Sequence, residues 1–161
     1  MSRLSEELQF VPLIETEAYG GAGTDSDAVN LALFSSVSFI FSFGDLTSDS
    51  TLICYPGSTA AIAVAKSATS IAFNYRLSAA NVRTTLADTL GDPTAVLYTG
   101  LTLTAATFAN KLLVVEFDCD TMTTTNQYIV WAVSSTANPM DLSMTMVGKP
   151  KFPGHLHPTS V

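Results

Sequence analysis

Polar and apolar residues alternate most strictly between Ser36 and Phe43. Val37, Phe39, Phe41 and Phe43 fall on one parity and Ser36, Ser38 and Ser42 on the other, with Ile40 the single exception. A period of two sends successive side chains to opposite faces of an extended chain, so this stretch is predicted as a strand with one face in a core. Each phenylalanine ring buries on the order of 150–250 Å². Three such rings on one face need a thick apolar layer opposite them, and a second sheet supplies it.

The same pattern recurs along the chain. Leu8 to Glu15 reads as extended, and Pro12, which has no N–H to give a ladder, confines it to a sheet edge or to an arm that docks on a neighbour. The Ser36–Phe43 strand ends at Gly44-Asp45, and Leu46 to Ser50 turns the chain into Thr51–Tyr55, predicted to pair with it as a hairpin and to close at Pro56-Gly57. Ala60 to Ala65 and Ile71 to Leu77 read as further strands, the second with Ile71, Phe73, Tyr75 and Leu77 opposite Asn74 and Arg76. Ala95 to Leu103 is strand-like with a bulge or bend at Gly100. Leu112 to Asp118 starts apolar on both parities and is therefore expected in the middle of a sheet. Tyr128 to Ser134, which holds the only tryptophan, and Leu142 to Val147 complete the set.

Other segments depart from a period of two. Ser78 to Gly91 carries Val82, Leu86 and Leu90 at i, i+4 and i+8, with Ser78 as an N-cap and Gly91 then Pro93 as stop signals, so it reads as a short helix or a partly helical crossover. Thr104 to Lys111 reads as a turn, or as one helical turn capped by Thr104. Tyr19 to Asp27 is a loop; its glycines are followed by no GK[ST] and open no helix, which excludes a phosphate cradle.

The expected fold is therefore all-β, a jelly-roll-like two-sheet β-sandwich of about eight or nine strands with at most one short helix. The 161 residues make one domain, 1–161, large enough to bury roughly 70% of the surface of the unfolded chain. Residues 1–15 and 148–161 are the candidate extended arms. The second holds three prolines and no periodicity.

Composition narrows the function classes. Charged residues make up 13% of the chain, against about 25% in ordinary soluble proteins. A surface dressed mainly with Thr, Ser and Ala is one that neighbouring subunits can cover. The net charge of −7 excludes a nucleic-acid partner, which needs clustered cations. Residues 1–10 have no apolar core of a secretion signal, and the uncharged windows are interrupted at strand-like spacing, so no membrane partner is expected. In a cytosol Cys54 and Cys119 would stay reduced.

Candidate chemistry is sparse. His155 and His157 form an HxH close to the C-terminus with no third histidine, too few ligands for a metal site within one chain. Glu116, Asp118 and Asp120 share a parity at roughly 7 Å spacing, which suits either a solvated strand end or a cation such as Ca²⁺ relieving the repulsion. Cys54 and Cys119 sit among apolar residues and read as small core side chains. GxSxG and HExxH are absent, and no constellation marks an enzyme. The reading is non-enzymatic, with no cofactor.

Four stretches carry a resemblance: Phe10-Val11-Pro12-Leu13, Phe73-Asn74-Tyr75-Arg76, Leu101–Met122 (LTLTAATFANKLLVVEFDCDTM) and Lys149-Pro150-Lys151-Phe152. Together they are similar to the capsid decoration, or cement, proteins of tailed bacteriophages. The resemblance spans most of the chain and rests on strand-like segments. It implies a β-sandwich on the outside of an icosahedral head, assembled in the host cytoplasm, commonly a homotrimer, whose partner is the major capsid protein. On that reading the terminal arms reach neighbouring subunits, and Phe10, Pro12, Leu13, Lys151 and Phe152 are the expected interface residues. Two other readings stay open: a head-fibre or tail-associated β-module, and a carbohydrate-binding β-sandwich, which would want exposed aromatic residues on one face or in loops. A small β-barrel hydrolase is a third, and it lacks the convergent polar residues it would need.

Overall fold

The computed structural model describes residues 7–19, 23–66, 68–79, 89–134 and 140–151. Among these are eleven strands: β1 (Gln9–Tyr19), β2 (Thr24–Asp25), β3 (Val29–Asn30), β4 (Phe34–Leu46), β5 (Ser50–Gly57), β6 (Phe73–Leu77), β7 (Thr94–Val96), β8 (Leu101–Leu103), β9 (Leu112–Asp118), β10 (Tyr128–Val133) and β11 (Met140–Pro150). They form a six-stranded sheet in the order β1-β11-β4-β9-β6-β7 and a second sheet in the order β2-β10-β5-β8, with β3 also on β10. Every pairing is antiparallel.

The strand order is that of a jelly roll. If β2 and β3 count as one broken strand and β6 and β7 are set aside, eight strands remain, ordered 1-8-3-6 and 2-7-4-5 in the two sheets. That is the interlocked double Greek key of the fold. The β6–β7 pair is an addition that widens the first sheet beyond β9.

β4 organises the core as its pattern requires. Phe39, Phe41 and Phe43 are buried on its inner face, and Trp131 of β10 meets the first two from the other sheet. Its ring lies 5.5 Å from Phe39, 5.1 Å from Phe41 and 4.9 Å from Phe73, each in edge-to-face geometry. Such pairs add about 0.5–1.5 kcal/mol each beyond the area they bury. Ile40, the exception in the alternation, faces outward and is half-buried.

Several expectations need correction. Ala60–Ala65 is not a strand: α1 (Ala60–Val64) is a helix whose N-cap, Thr59, accepts a hydrogen bond from the Ile62 N–H at 3.3 Å. Alanine has the highest helix propensity, and a capped run of it outweighed two branched residues. A second helix, α2 (Ala105–Phe108), follows Thr104, whose side chain makes no capping bond. Among the described residues there are thus two short helices, where at most one was expected, and eleven strands, of which the eight of the jelly roll match the expected eight or nine. Ala95–Leu103 divides at Gly100, whose φ of +91° takes the chain from β7 in one sheet to β8 in the other. β5 likewise lies in the sheet opposite β4 and pairs with β10 and β8, so the expected hairpin is a crossover between layers.

Ser78, expected as a helix N-cap, also pairs as a strand residue does. It continues β6 through a bridge to Leu90, and its Oγ accepts from the Leu112 N–H at 3.1 Å. The remainder of the expected Ser78–Gly91 helix, 80–88, lies outside the described residues. Leu8–Glu15 resolves to the edge-strand alternative, since β1 pairs along β11 with Pro12 on the sheet edge. Residues 148–150, expected as part of an arm, complete β11: Gly148, Lys149 and Pro150 pair with Val37, Ser36 and Phe34. Gly148 permits this because a Cβ there would meet Phe34 Cδ1 at 2.5 Å.

Candidate functional site

Of the expected interface residues, Phe10 is 49% exposed and Pro12 is also exposed, both on β1. Leu13 is only 6% exposed. Pairing shifts register between Pro12 and Ile14, a bulge that turns Leu13 and Ile14 inward together, so Leu13 belongs to the core and not to the surface set. Lys151 is half-buried; its ammonium lies 2.9 Å from Asp120 Oδ1 and its N–H donates to Leu33 O. Phe152, His155 and His157 lie outside the described residues.

Directly opposed residues of an antiparallel ladder share a face. The pairings therefore place Pro12, Thr145, Ile40, Val114 and Arg76 in one row across five strands of the six-stranded sheet, on its outer side. A parallel row holds Phe10, Val147, Ser38 and Glu116. Ser42, Ser143 and Leu112 continue the face toward the β4–β5 end. Among the described residues the middle of this surface carries no charge; Lys149, Asp118, Glu116, Arg76 and Asp141 stand around it. Phe10 and Pro12 are thus one margin of a broad uncharged plane.

Edge pairing by β1 itself is blunted. Pro12 offers no N–H, and a second register shift follows between Ile14 and Glu17, so the strand presents no continuous ladder to an added strand.

The outer side of the second sheet is built differently. α1 lies across β5 and β10 and covers Val130, with Ala63 as its buried contact, while Ile62 and Val64 remain exposed. Beside it is a groove of about 290 Å³ whose floor includes Ile53, Tyr55 and Ala132. Asp25 and Lys66 face each other at its rim, with Lys66 Nζ 2.8 Å from Asp25 Oδ1. Lys66 has φ +53°, in the left-handed region. The sequence places these residues in a loop and in strands and marks none of them as a site. The one available signal was Thr59 followed by an uncharged alanine-rich run, a cap before a helix.

The acidic strand end has a structural account. Asp118 Oδ1 accepts from the Asp120 N–H at 3.1 Å and caps the 3₁₀ turn Cys119–Thr121, while Asp120 pairs with Lys151. Asp120 has therefore left the strand face that Glu116 and Asp118 share, and no group of three metal-ligating side chains occurs among the described residues. Both cysteines are free and buried. Burial raises the Cys54 thiol pKa, and raises that of Cys119 to about 11, where Lys151 lowers it and Asp118 and Asp120 add to the rise. Among the described residues no helix is long and apolar enough to cross a membrane.

No protein-family model matches the chain, and no curated protein matches it. Among solved structures, similarity is found to the SPBc2 prophage-derived protein YomS, at 11% identity and a TM-score of 0.43, covering 88% of this chain and 95% of that one. Desmodium yellow mottle tymovirus gives 13% identity and a TM-score of 0.18 over 90% of this chain and 82% of that one. The infectious bursal disease virus Gx strain gives 10% and 0.19, over 89% and 41%.

Proposed function

We propose that the protein is a virion structural protein that decorates the outside of a tailed-phage head, joins neighbouring copies of the major capsid protein, and acts without catalysis or cofactor. The observation that carries this reading is the outer face of the six-stranded sheet, an uncharged surface several strands wide from Phe10 and Pro12 to Val114. Interface cores are depleted in charge, because buried ions must be desolvated, and small Ser and Thr side chains let backbones approach closely. Contacts of this sort are weak singly and tight when several are made at once. A trimer with three such faces would have that property.

The test is a titration of purified protein onto mature heads stripped of it, counting copies at saturation beside the mass of the free protein by light scattering. Saturation at a copy number that fits the shell symmetry, abolished by Ile40→Lys with folding intact, supports the reading. A folded protein that does not bind heads overturns it in favour of a head-fibre or tail-associated module.

A further inference from the structure

We propose that the groove on the outer side of the second sheet is a binding site for a neutral saccharide of one or two rings. The idea is independent of capsid attachment, because the groove and the uncharged plane lie on opposite sides of the sandwich.

Size and shape come first. A concavity of about 290 Å³ falls just below the roughly 300–1,000 Å³ typical of small-molecule sites, room for a ligand of one or two rings. Its floor is rigid, since Ile53 and Ala132 are cross-strand partners in β5 and β10, and Tyr55 stands one outward position further along β5. Two aliphatic side chains and an aromatic ring make a surface that suits the C–H face of a pyranose.

The rim supplies the polar half. Asp25 and Lys66 are each partly exposed and lie 2.8 Å apart. Their charges cancel, so the groove selects neither a free anion nor a free cation. Each carboxylate oxygen accepts and the ammonium donates three ways, so the pair joined through Asp25 Oδ1 keeps further hydrogen-bonding capacity. Two adjacent sugar hydroxyls, each able to donate and accept, match such an acceptor beside a donor.

Lys66 is also held unusually. It follows α1 in the left-handed conformation at φ +53°, with its N–H on Ala63 O at 3.0 Å. An L side chain rarely adopts that conformation, and here it carries the ammonium over the groove to Asp25. Glycine would close the helix with less strain. What lysine adds at this position is its reach.

The test is a titration of ¹⁵N-labelled protein, read from amide shifts of Asp25, Ile53, Tyr55, Lys66 and Ala132. The probes are glucose, galactose, mannose, N-acetylglucosamine, maltose and lactose, with inorganic phosphate and calcium chloride as charged controls. The expected result is a saturable shift confined to these amides for at least one sugar, with affinity reduced about tenfold or more in both Asp25→Asn and Tyr55→Leu. Asp25→Asn keeps the shape of the rim, so it decides alone if Tyr55→Leu fails to fold. No saturable shift with any of the sugars overturns the proposal. So does a response to phosphate or calcium alone, or an affinity that Asp25→Asn leaves unchanged. Since no capsid enters the assay, its outcome is separate from that of the decoration reading.

Discussion

The two outer surfaces of this sandwich stand on the same core and differ in almost everything else. The six-stranded sheet shows rows of Ser, Thr, Ile and Val with charge only around them, open across its middle among the described residues. The second sheet is roofed in part by α1 and notched by a groove with an ion pair on its rim. A broad plane gives many small contacts and little chemical selectivity, which suits a repeated protein surface. A concave site with a few placed polar groups gives orientation and selectivity toward something small. One fold can carry both, because the alternation of each strand separates its inner duties from its outer ones.

Substitutions can sharpen or break this contrast. The largest effect should come from the shared support: Phe41→Ala, fully buried against Trp131, should lower stability by about 3–5 kcal/mol, and an unchanged urea midpoint would remove Phe41 from the core. Next is Gly148→Ala. Its Cβ would meet the buried Phe34 ring at 2.5 Å, for a loss of about 1–3 kcal/mol, whereas a freely accommodated methyl would mean that β11 and β4 are less tightly joined there.

On the roofed face, Thr59→Ala should cost about 0.5–2 kcal/mol through the lost cap of α1. Ser38→Ala on the open face should stay within about 0.5 kcal/mol. Equal losses from the two would show that the faces are not so different mechanically. The smallest net change is expected for Lys66→Gly, which relieves a left-handed backbone worth about 1–2 kcal/mol and gives up both a partly exposed ion pair worth about 1 kcal/mol or less and some unfolded-state restriction, so that the terms offset. A large loss of thermal stability would mean that Lys66 supports the fold rather than the groove.

Thiol chemistry offers a fifth check that spans both sheets. With the Cys119 thiol pKa raised to about 11 by burial, and that of Cys54 raised as well, the native state favours the protonated forms. Stability from this source is full below the unfolded thiol pKa, about 8.5, and falls as pH climbs toward 11. A denaturation midpoint that rises between pH 8.5 and 11 would contradict it.

Much of the fold was legible because strands half in a core announce themselves by parity. The Phe39–Phe41–Phe43 face, the central place of Leu112–Asp118 and the inward tryptophan all followed from it. The errors lie where parity is silent. Ala60–Ala65 offers branched and unbranched residues of similar polarity, so the cap at Thr59 and not the hydrophobic pattern decided its form. Lys149 and Pro150 look like the start of a tail, yet the absent side chain of Gly148 lets the strand run on past Phe34. Leu13 was placed at the surface as part of an expected arm; once β1 is a strand of the sheet, its parity, opposite to that of Phe10 and Pro12, sends it into the core, and the bulge brings Ile14 in beside it.

The surface sites were less readable than the fold. Phe10 and Pro12 were singled out as members of an arm, and they are members of a face whose other residues come from β11, β4 and β9. Asp25 and Lys66 are far apart in the chain, and neither is unusual for its type, so no local pattern links them.

By itself the sequence determined which faces are dry, how many layers must meet, and that charge would be scarce over the whole surface; each is a property of composition and of the two-residue period. Only the tertiary structure decided which strands are neighbours, hence which outward residues form a row and which charges meet across a groove. Parity says to which side a residue points. Strand order, fixed by long-range pairing and loop crossings, says what stands beside it.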